Sequence, residues 1–302
     1  MFFIISQIFF LCYGFSMIDL HIHTLFSDGQ YTPAEFIKKV ADKNIEVIAI
    51  TDHDTVDGLE EGEFEAKKYG ITFVRGIELN IERPNCECHL LGLGLQEISP
   101  ELKKIISSLQ KSRNERNEQM ISLMNAGGIE ITMEDLQNEF SCHVLGRPHF
   151  AAWLEKHGIV KHRQDAFDKY LARGRPWFVE RVGADLDDSI EAIYKSGGIP
   201  VLAHPLSLYL SWTKLEPVLQ DFKERGIAGI EAFHPGARVT ECLRLEEMAR
   251  RNGLFVTAGS DFHGEKVRAD RHPGITCGGK KIENRFYYDE LLPALEKARS
   301  SR

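Results

Sequence analysis

The sequence predicts an α/β protein, a β/α barrel of about seven strands carrying a helical insertion. Three observations predict it. Short β-branched runs alternate with amphipathic helical stretches through most of the 302 residues, a rhythm that belongs to βα units around a parallel sheet. Histidines and acids gather where the apolar runs end, which is where barrels collect their chemistry. Residues 100–186 break the rhythm and read almost entirely as helix.

The elements follow in chain order. "MIDLHI" from Met17 is the first strand. The next helical stretch, "TPAEFIKKVADKN", opens with Thr32 as its N-cap and Pro33 at its first position, where a missing N–H costs nothing. "EVIAIT" is apolar nearly throughout, as in a strand buried on both faces. "GLEEGEFEAKKYG" is a helix closed by Gly70. "ITFVRGIELNI", "HLLGLGL", "IPVLAH", "IAGIEAF" and "LFVTAGS" supply the remaining strands. Between the fourth and fifth lie the helical stretches "ELKKIISSLQKSRNERNEQMISLMNAGG", "TMEDLQNEF", "RPHFAAWLEKHG" and "RQDAFDKYLARG". The barrel is therefore assigned to residues 17–99 and 187–302, and the helical insertion to 100–186.

Composition narrows the function. Lys and Arg number 37 against 45 Asp and Glu, a net charge of −8. That sign disfavours long duplex nucleic acid as a partner and leaves room for a local basic pocket. Six cysteines without a paired CxxC spacing point to reduced thiols and a cytoplasmic setting. Residues 1–16, "MFFIISQIFFLCYGFS", are apolar, uncharged and short for a span of ~20 residues. They read as an over-extended start ahead of Met17, with a membrane anchor or export signal as the competing reading.

In a strand, residues two apart share a side, so His21 and His23 project together and can share one metal ion. Taken alone they would be ordinary strand-end histidines. Asp28, His53, Glu78, His204, Asp261 and His263 also follow apolar strands, whereas His89 sits at the start of one. Charged groups at such positions are costly unless paired or metal-bound. The set is large enough for two or three divalent ions with one carboxylate bridging. The nitrogen and oxygen donors admit manganese, iron or zinc, with manganese the first choice. Asp52 and Asp54 flank His53 and are read as orienting it. "CECH" is not read as a soft metal site, because Cys86 and Cys88 share one strand side and His89 points to the other. "GGKK" lacks the spacing of a phosphate-binding loop.

In order, "HIHTLFSDG", "TDHD", "GIE", "CHLLG", "AHP" and "GSDFHG" resemble the motifs of the polymerase and histidinol phosphatase (PHP) family, from Met17 to about Tyr288. The resemblance implies a metal-dependent phosphoesterase on a distorted barrel. It implies one metal on His21, His23, Glu78 and Asp261, a second on Asp28, His53 and His263, and a third on Glu78, His89 and His204. Asp28 stands where the histidinol phosphatases carry histidine. "RNERNEQM", "LGRPHFAAWLEKHGIV", "AFDKYLARGRPWFV" and "EAFHP" are similar to a bacterial subgroup that removes the 3′-phosphate of 3′,5′-bisphosphonucleotides, with members that trim short RNA from its 5′ end.

The residues of the insertion point the same way. Arg113 and Arg116 share a helix face, and Arg147 precedes Pro148 and His149 at a helix start, where free N–H groups favour an anion. Arg116, Arg147, His149 and, after "GIEAF", His234 are the candidates for holding substrate. The alternatives are another small-molecule phosphomonoesterase such as histidinol-phosphate phosphatase, a hydrolase of carbon–nitrogen bonds, and a non-catalytic metal-stabilised binding module.

Overall fold

Seven strands form one sheet in sequence order. They are β1 (Met17–Asp19), β2 (Ile45–Ile50), β3 (Thr72–Ile81), β4 (Cys88–Leu93), β5 (Ile199–Leu202), β6 (Gly229–Phe233) and β7 (Phe255–Ala258). The computed structural model describes residues 16–140 and 144–300, so the expectation for the apolar extension falls outside it save for Ser16. Among the described residues no helix is long and apolar enough to cross a membrane.

The ring closes beyond the ends of its first and last strands. Ile22 pairs with Phe262 in parallel. The His23 N–H donates to the Phe262 carbonyl and the Asp261 N–H to the His21 carbonyl, each at 2.9 Å. A Cβ at Gly259 would lie 2.2 Å from the His21 Cβ and 2.6 Å from the Glu231 Oε1. Only glycine allows this approach.

The expected seven-stranded barrel forms, and its sheet is parallel except at one strand. β4 runs antiparallel to both β3 and β5, while the other pairs are parallel. β3 runs straight into β4 through a short connection with no helix to carry the chain back, so the fourth strand must return. That reversal accounts for His89. The start of an antiparallel strand lies at the same end of the barrel as the finishes of its parallel neighbours.

The helices form where their signals stand. α1 (Pro33–Val40) is capped by Thr32, whose hydroxyl accepts from the Glu35 N–H while Glu35 accepts from the Thr32 N–H. α2 (Leu59–Lys68) is followed by Gly70 at φ +67. α3 (Pro100–Ala126) spans two cores: Leu102, Ile106 and Leu109 pack with the barrel, and Met120 and Met124 with a separate helical cluster. That second cluster gathers α4 (Met133–Phe140), α5 (Arg147–Lys156) and α6 (Arg163–Ala166) around Phe150, Trp153, Leu154 and Trp177. The buried side of α3 changes from apolar to basic between them, at Arg113 and Arg116, where the two cores meet at the barrel mouth.

Candidate metal centre

Glu78, in β3, organises the mouth of the barrel. One carboxylate oxygen, Oε1, lies 2.9 Å from His89 Nδ1 and 3.0 Å from His204 Nε2. The other, Oε2, lies 2.9 Å from His53 Nδ1, 3.3 Å from His23 Nε2 and 3.4 Å from His21 Nε2. Five imidazoles thus face one fully buried carboxylate from both sides. His21 Nε2 and His23 Nε2 are 3.1 Å apart, and Asp261 Oδ1 approaches them at 3.7 and 3.4 Å. Asp28 Oδ1 stands 3.3 Å from His263 Nε2. His23, Asp28, His53 and His263 form one cluster of converging donor atoms, His21, His23 and Glu78 a second, and His53, Glu78 and His89 a third.

The residues fit a cation. His23 Nδ1, Asp28 Oδ1, His53 Nδ1 and Glu78 Oε2 are buried and have no hydrogen-bond partner among the described residues. An unsatisfied buried polar atom costs free energy. His53 Nδ1 and Glu78 Oε2 approach to 2.9 Å yet are not aligned as donor and acceptor, the posture of two lone pairs turned toward a common positive charge. The electrostatics agree. Burial pushes the Glu78 carboxyl up, but the imidazoles, His53 foremost, outweigh it and hold it well below the usual range. Burial pulls His23 down, but Asp261 and Glu78 prevail and push it up to about 10. Protons alone would have to supply the positive charge that these carboxylates demand. His53, by contrast, is brought down to about 4, first by burial, and keeps a free lone pair.

Supporting groups hold the candidate ligands in place. Glu231, in β6, was not singled out from the sequence. It is 1 % exposed, its Oε1 accepts from His21 Nδ1 at 3.0 Å, and its Oε2 accepts from the His204 N–H at 3.0 Å. Its one sequence signal is an acid inside the otherwise apolar run "GIEAF". Asp19 was missed too. Its oxygens accept from the Ser260 and Gly274 N–H groups at 2.9 and 2.8 Å, tying β1 to the segments after β7. His234 Nε2 lies 3.2 Å from Asp261 Oδ2, and Arg268 donates to the same oxygen at 3.2 Å. Asp54, His204 and Asp261 have φ of 53°, 27° and 51°, a left-handed backbone rare outside glycine and concentrated at functional sites.

Asp52 and Asp54 turn away from His53. Asp52 accepts from the Thr24 N–H at 2.7 Å and from the Thr24 and Ser27 hydroxyls at 2.5 Å each, pinning the loop that joins His23 to Asp28. Asp54 accepts from Arg113, from Arg181 at 2.9 Å and from the Asn80 N–H at 3.1 Å. Burial would raise its carboxyl; the two guanidiniums overcome this and hold it below the usual range.

A cavity of about 900 Å³ joins the ligands to this basic wall, and Arg113, Arg116, Arg147, Arg163 and Arg181 line it. Arg116 is buried, with Nη2 on the Asn117 Oδ1 at 2.6 Å and Nε unpartnered. Arg147 pairs with Glu87 at 2.9 Å. His234 also lines the cavity. His149 is buried at the start of α5, where its Nδ1 accepts from the Gly146 N–H at 2.8 Å and its ring packs edge-on against Phe140. Arg181 is a residue of this wall that sequence reasoning passed over, since nothing in "FVERVGA" marks it.

Comparison with known proteins agrees with the geometry. The PHP domain profile matches residues 19–173. The chain is 34% identical over 247 residues to a 3′,5′-nucleoside bisphosphate phosphatase of Chromobacterium violaceum, covering 82% of this chain and 87% of that one. It is 29% identical over 280 residues to a 5′-3′ exoribonuclease of Haemophilus influenzae, covering 92% and 98%. Among solved structures, an amidohydrolase from Chromobacterium violaceum with bound sulfate and no metal superposes with a TM-score of 0.80 at 32% identity, covering 94% of this chain and 97% of that one. With the ligand cluster, the closed seven-stranded ring and these relatives together, the chain belongs to the PHP family of metal-dependent phosphoesterases.

Proposed function

We propose that the chain removes the 3′-phosphate from 3′,5′-bisphosphonucleotides and acts by the same bond cleavage on the 5′ end of short RNA. The observation that carries this reading is the single cavity with two kinds of wall. One wall is a cluster of metal-seeking lone pairs, the other a set of guanidiniums. A substrate bearing two phosphates one ribose apart needs both. A monophosphate needs only the first.

His21, His23, Glu78 and Asp261 would hold one ion, Asp28, His53 and His263 a second, and Glu78, His89 and His204 a third, with manganese the first candidate. When bound, divalent ions supply a water of lowered pKa and neutralise phosphate charge. The chain's own residues do the rest. Glu231 fixes the His21 tautomer by accepting at Nδ1, leaving Nε2 bare. His234 and Arg268 hold Asp261, and Asp52 holds the Thr24–Ser27 loop. Arg116 and Arg147 take the second phosphate as planar donors. In the net reaction the bond from phosphorus to the 3′ oxygen breaks. Water oxygen joins phosphorus and a proton goes to the 3′ oxygen. A cytoplasmic setting, in keeping with cysteines that lack a disulfide spacing, is part of this reading.

The test is phosphate release from adenosine 3′,5′-bisphosphate, adenosine 5′-monophosphate and histidinol phosphate with added manganese. The expected result is turnover of the bisphosphate at least a hundredfold above both others and its loss on chelation. Preference for histidinol phosphate would refute the assignment.

A further inference from the structure

We propose that Arg271, approached through Arg268, forms a subsite for the phosphodiester one nucleotide beyond the bond being cut, holding the RNA substrate of the reading above where it crosses the barrel mouth; the subsite rests on that reading. Arg271 lines the same cavity as the metal ligands and is 4 % exposed, yet its Nε has no hydrogen-bond partner. Its ion-pair partner is Asp270, at 3.1 Å, whose side chain is 65% exposed. An exposed carboxylate offers little to a buried cation, and a buried charge without adequate pairing is costly. Arg113 and Arg181 differ in this respect, since they share the fully buried Asp54. Among the described residues no buried carboxylate lies within ion-pair distance of Arg271, although Asp261 and Glu231 act on it from farther off, and an anion entering the cavity would supply the missing contact.

Its position gives the anion a meaning. Asp54, with Arg113 and Arg181, stands over β2 and β3. Arg271 stands over β6 and β7. Contacts lead to it outward from the ligands: Asp261 Oδ2 lies 3.2 Å from His234 Nε2, and His234 Nδ1 accepts from the Gly236 N–H at 3.0 Å. A Cβ at Gly236 would then come within 3.2 Å of Arg271 Nη2. In a ring closed in sequence order, β2–β3 and β6–β7 are opposite arcs. The ligand cluster therefore sits between two cationic walls. A bisphosphonucleotide uses the cluster and the Arg116 wall. A third phosphate exists only when the chain continues past the scissile phosphate. Each hydrolysis then adds water across the P–O3′ bond, leaving a 3′-hydroxyl on the released nucleotide and a 5′-phosphate on the remaining chain.

The experiment compares kcat/KM for adenosine 3′,5′-bisphosphate and for 5′-phosphorylated triadenylate, with manganese, in the full-length protein and its Arg271→Ala and Arg271→Lys variants. The subsite predicts that Arg271→Ala lowers the trinucleotide value tenfold or more and the bisphosphate value threefold or less. Arg271→Lys, which keeps the charge and loses the fork, should fall between. Should Arg271→Ala fold poorly, the ratio in Arg271→Lys decides. Equal losses on both substrates in Arg271→Lys, an unmoved ratio in both variants, or a wild type that cuts only the bisphosphate would overturn the subsite while leaving the bisphosphatase reading intact. A wild type inactive on the bisphosphate would instead remove the reading on which the subsite rests.

Discussion

Glu78 and Asp54 are two carboxylates buried at the same barrel mouth, bridged by the pairing of His53 with Glu78, and they meet opposite surroundings. Asp54 is satisfied by the chain: two guanidiniums and a backbone N–H close its valences. Glu78 is surrounded by five imidazoles and still has an oxygen without a hydrogen-bond partner. One site holds an internal salt bridge that presents spare N–H groups to the cavity. The other holds lone pairs that call for a metal. On the proposed function the difference separates cation capture from anion capture, one on each of two neighbouring walls of the cavity.

Substitution at Glu78 should do the most damage. Glu78→Gln keeps the shape and removes the charge shared between the proposed ion sites. Activity should fall at least ten-thousandfold, more than about 5 kcal/mol in transition-state terms, with metal content per chain falling alongside. Near-normal turnover would mean that Glu78 is not shared. Asp54→Asn attacks the other site. It leaves Arg113 and Arg181 without their buried counter-charge, and breaking such a pair costs about 3–5 kcal/mol. Urea unfolding should show this loss; a change under about 1 kcal/mol would mark the pair as dispensable.

Smaller effects sharpen the contrast. Glu231→Ala frees His21 Nδ1, which should weaken manganese binding by about 10–100-fold, as removal of a ligand's supporting partner does; a manganese titration reads it directly. Arg147→Ala should raise the apparent KM for the bisphosphate about tenfold and that for a monophosphate little, since only the former has a second phosphate to lose. His149 gives the smallest effect. Burial lowers its imidazole to about 4, below the unfolded value near 6.5. Between those values the unfolded chain binds a proton that the folded chain refuses, so stability falls as pH drops through this window. From pH 7.5 to 6 the loss is about 1 kcal/mol. His149→Gln, which can accept from the Gly146 N–H without titrating, should show a correspondingly flatter melting profile with pH.

What could be read in advance was whatever sits next to a strand end in sequence. Most of the nine proposed ligands stand at or just beyond a strand end, although Glu78 lies inside β3 and Asp28 in the loop that follows His23, and the capping of α1 by Thr32 follows from local chemistry alone. His89 looked misplaced because the direction of β4 depends on its partners on both sides, and no residue within it encodes that. Glu231 and Asp19 lie inside strands, where an acid among apolar residues says that something pairs with it without saying what. Arg181 is 127 residues from Asp54, and only the closed fold brings them together. Asp52 and Asp54 invited a role beside His53 by adjacency, but the backbone turns them toward the Thr24–Ser27 loop and the arginines.

The most direct measurement is a manganese titration of chelator-stripped protein, with bound metal per chain and phosphate release from adenosine 3′,5′-bisphosphate followed together. Turnover should be absent without metal, should rise as more than one ion binds, and should be lost together with metal binding in Glu78→Gln. Full activity in the stripped protein, or from an ion whose binding Glu78→Gln leaves untouched, would contradict this.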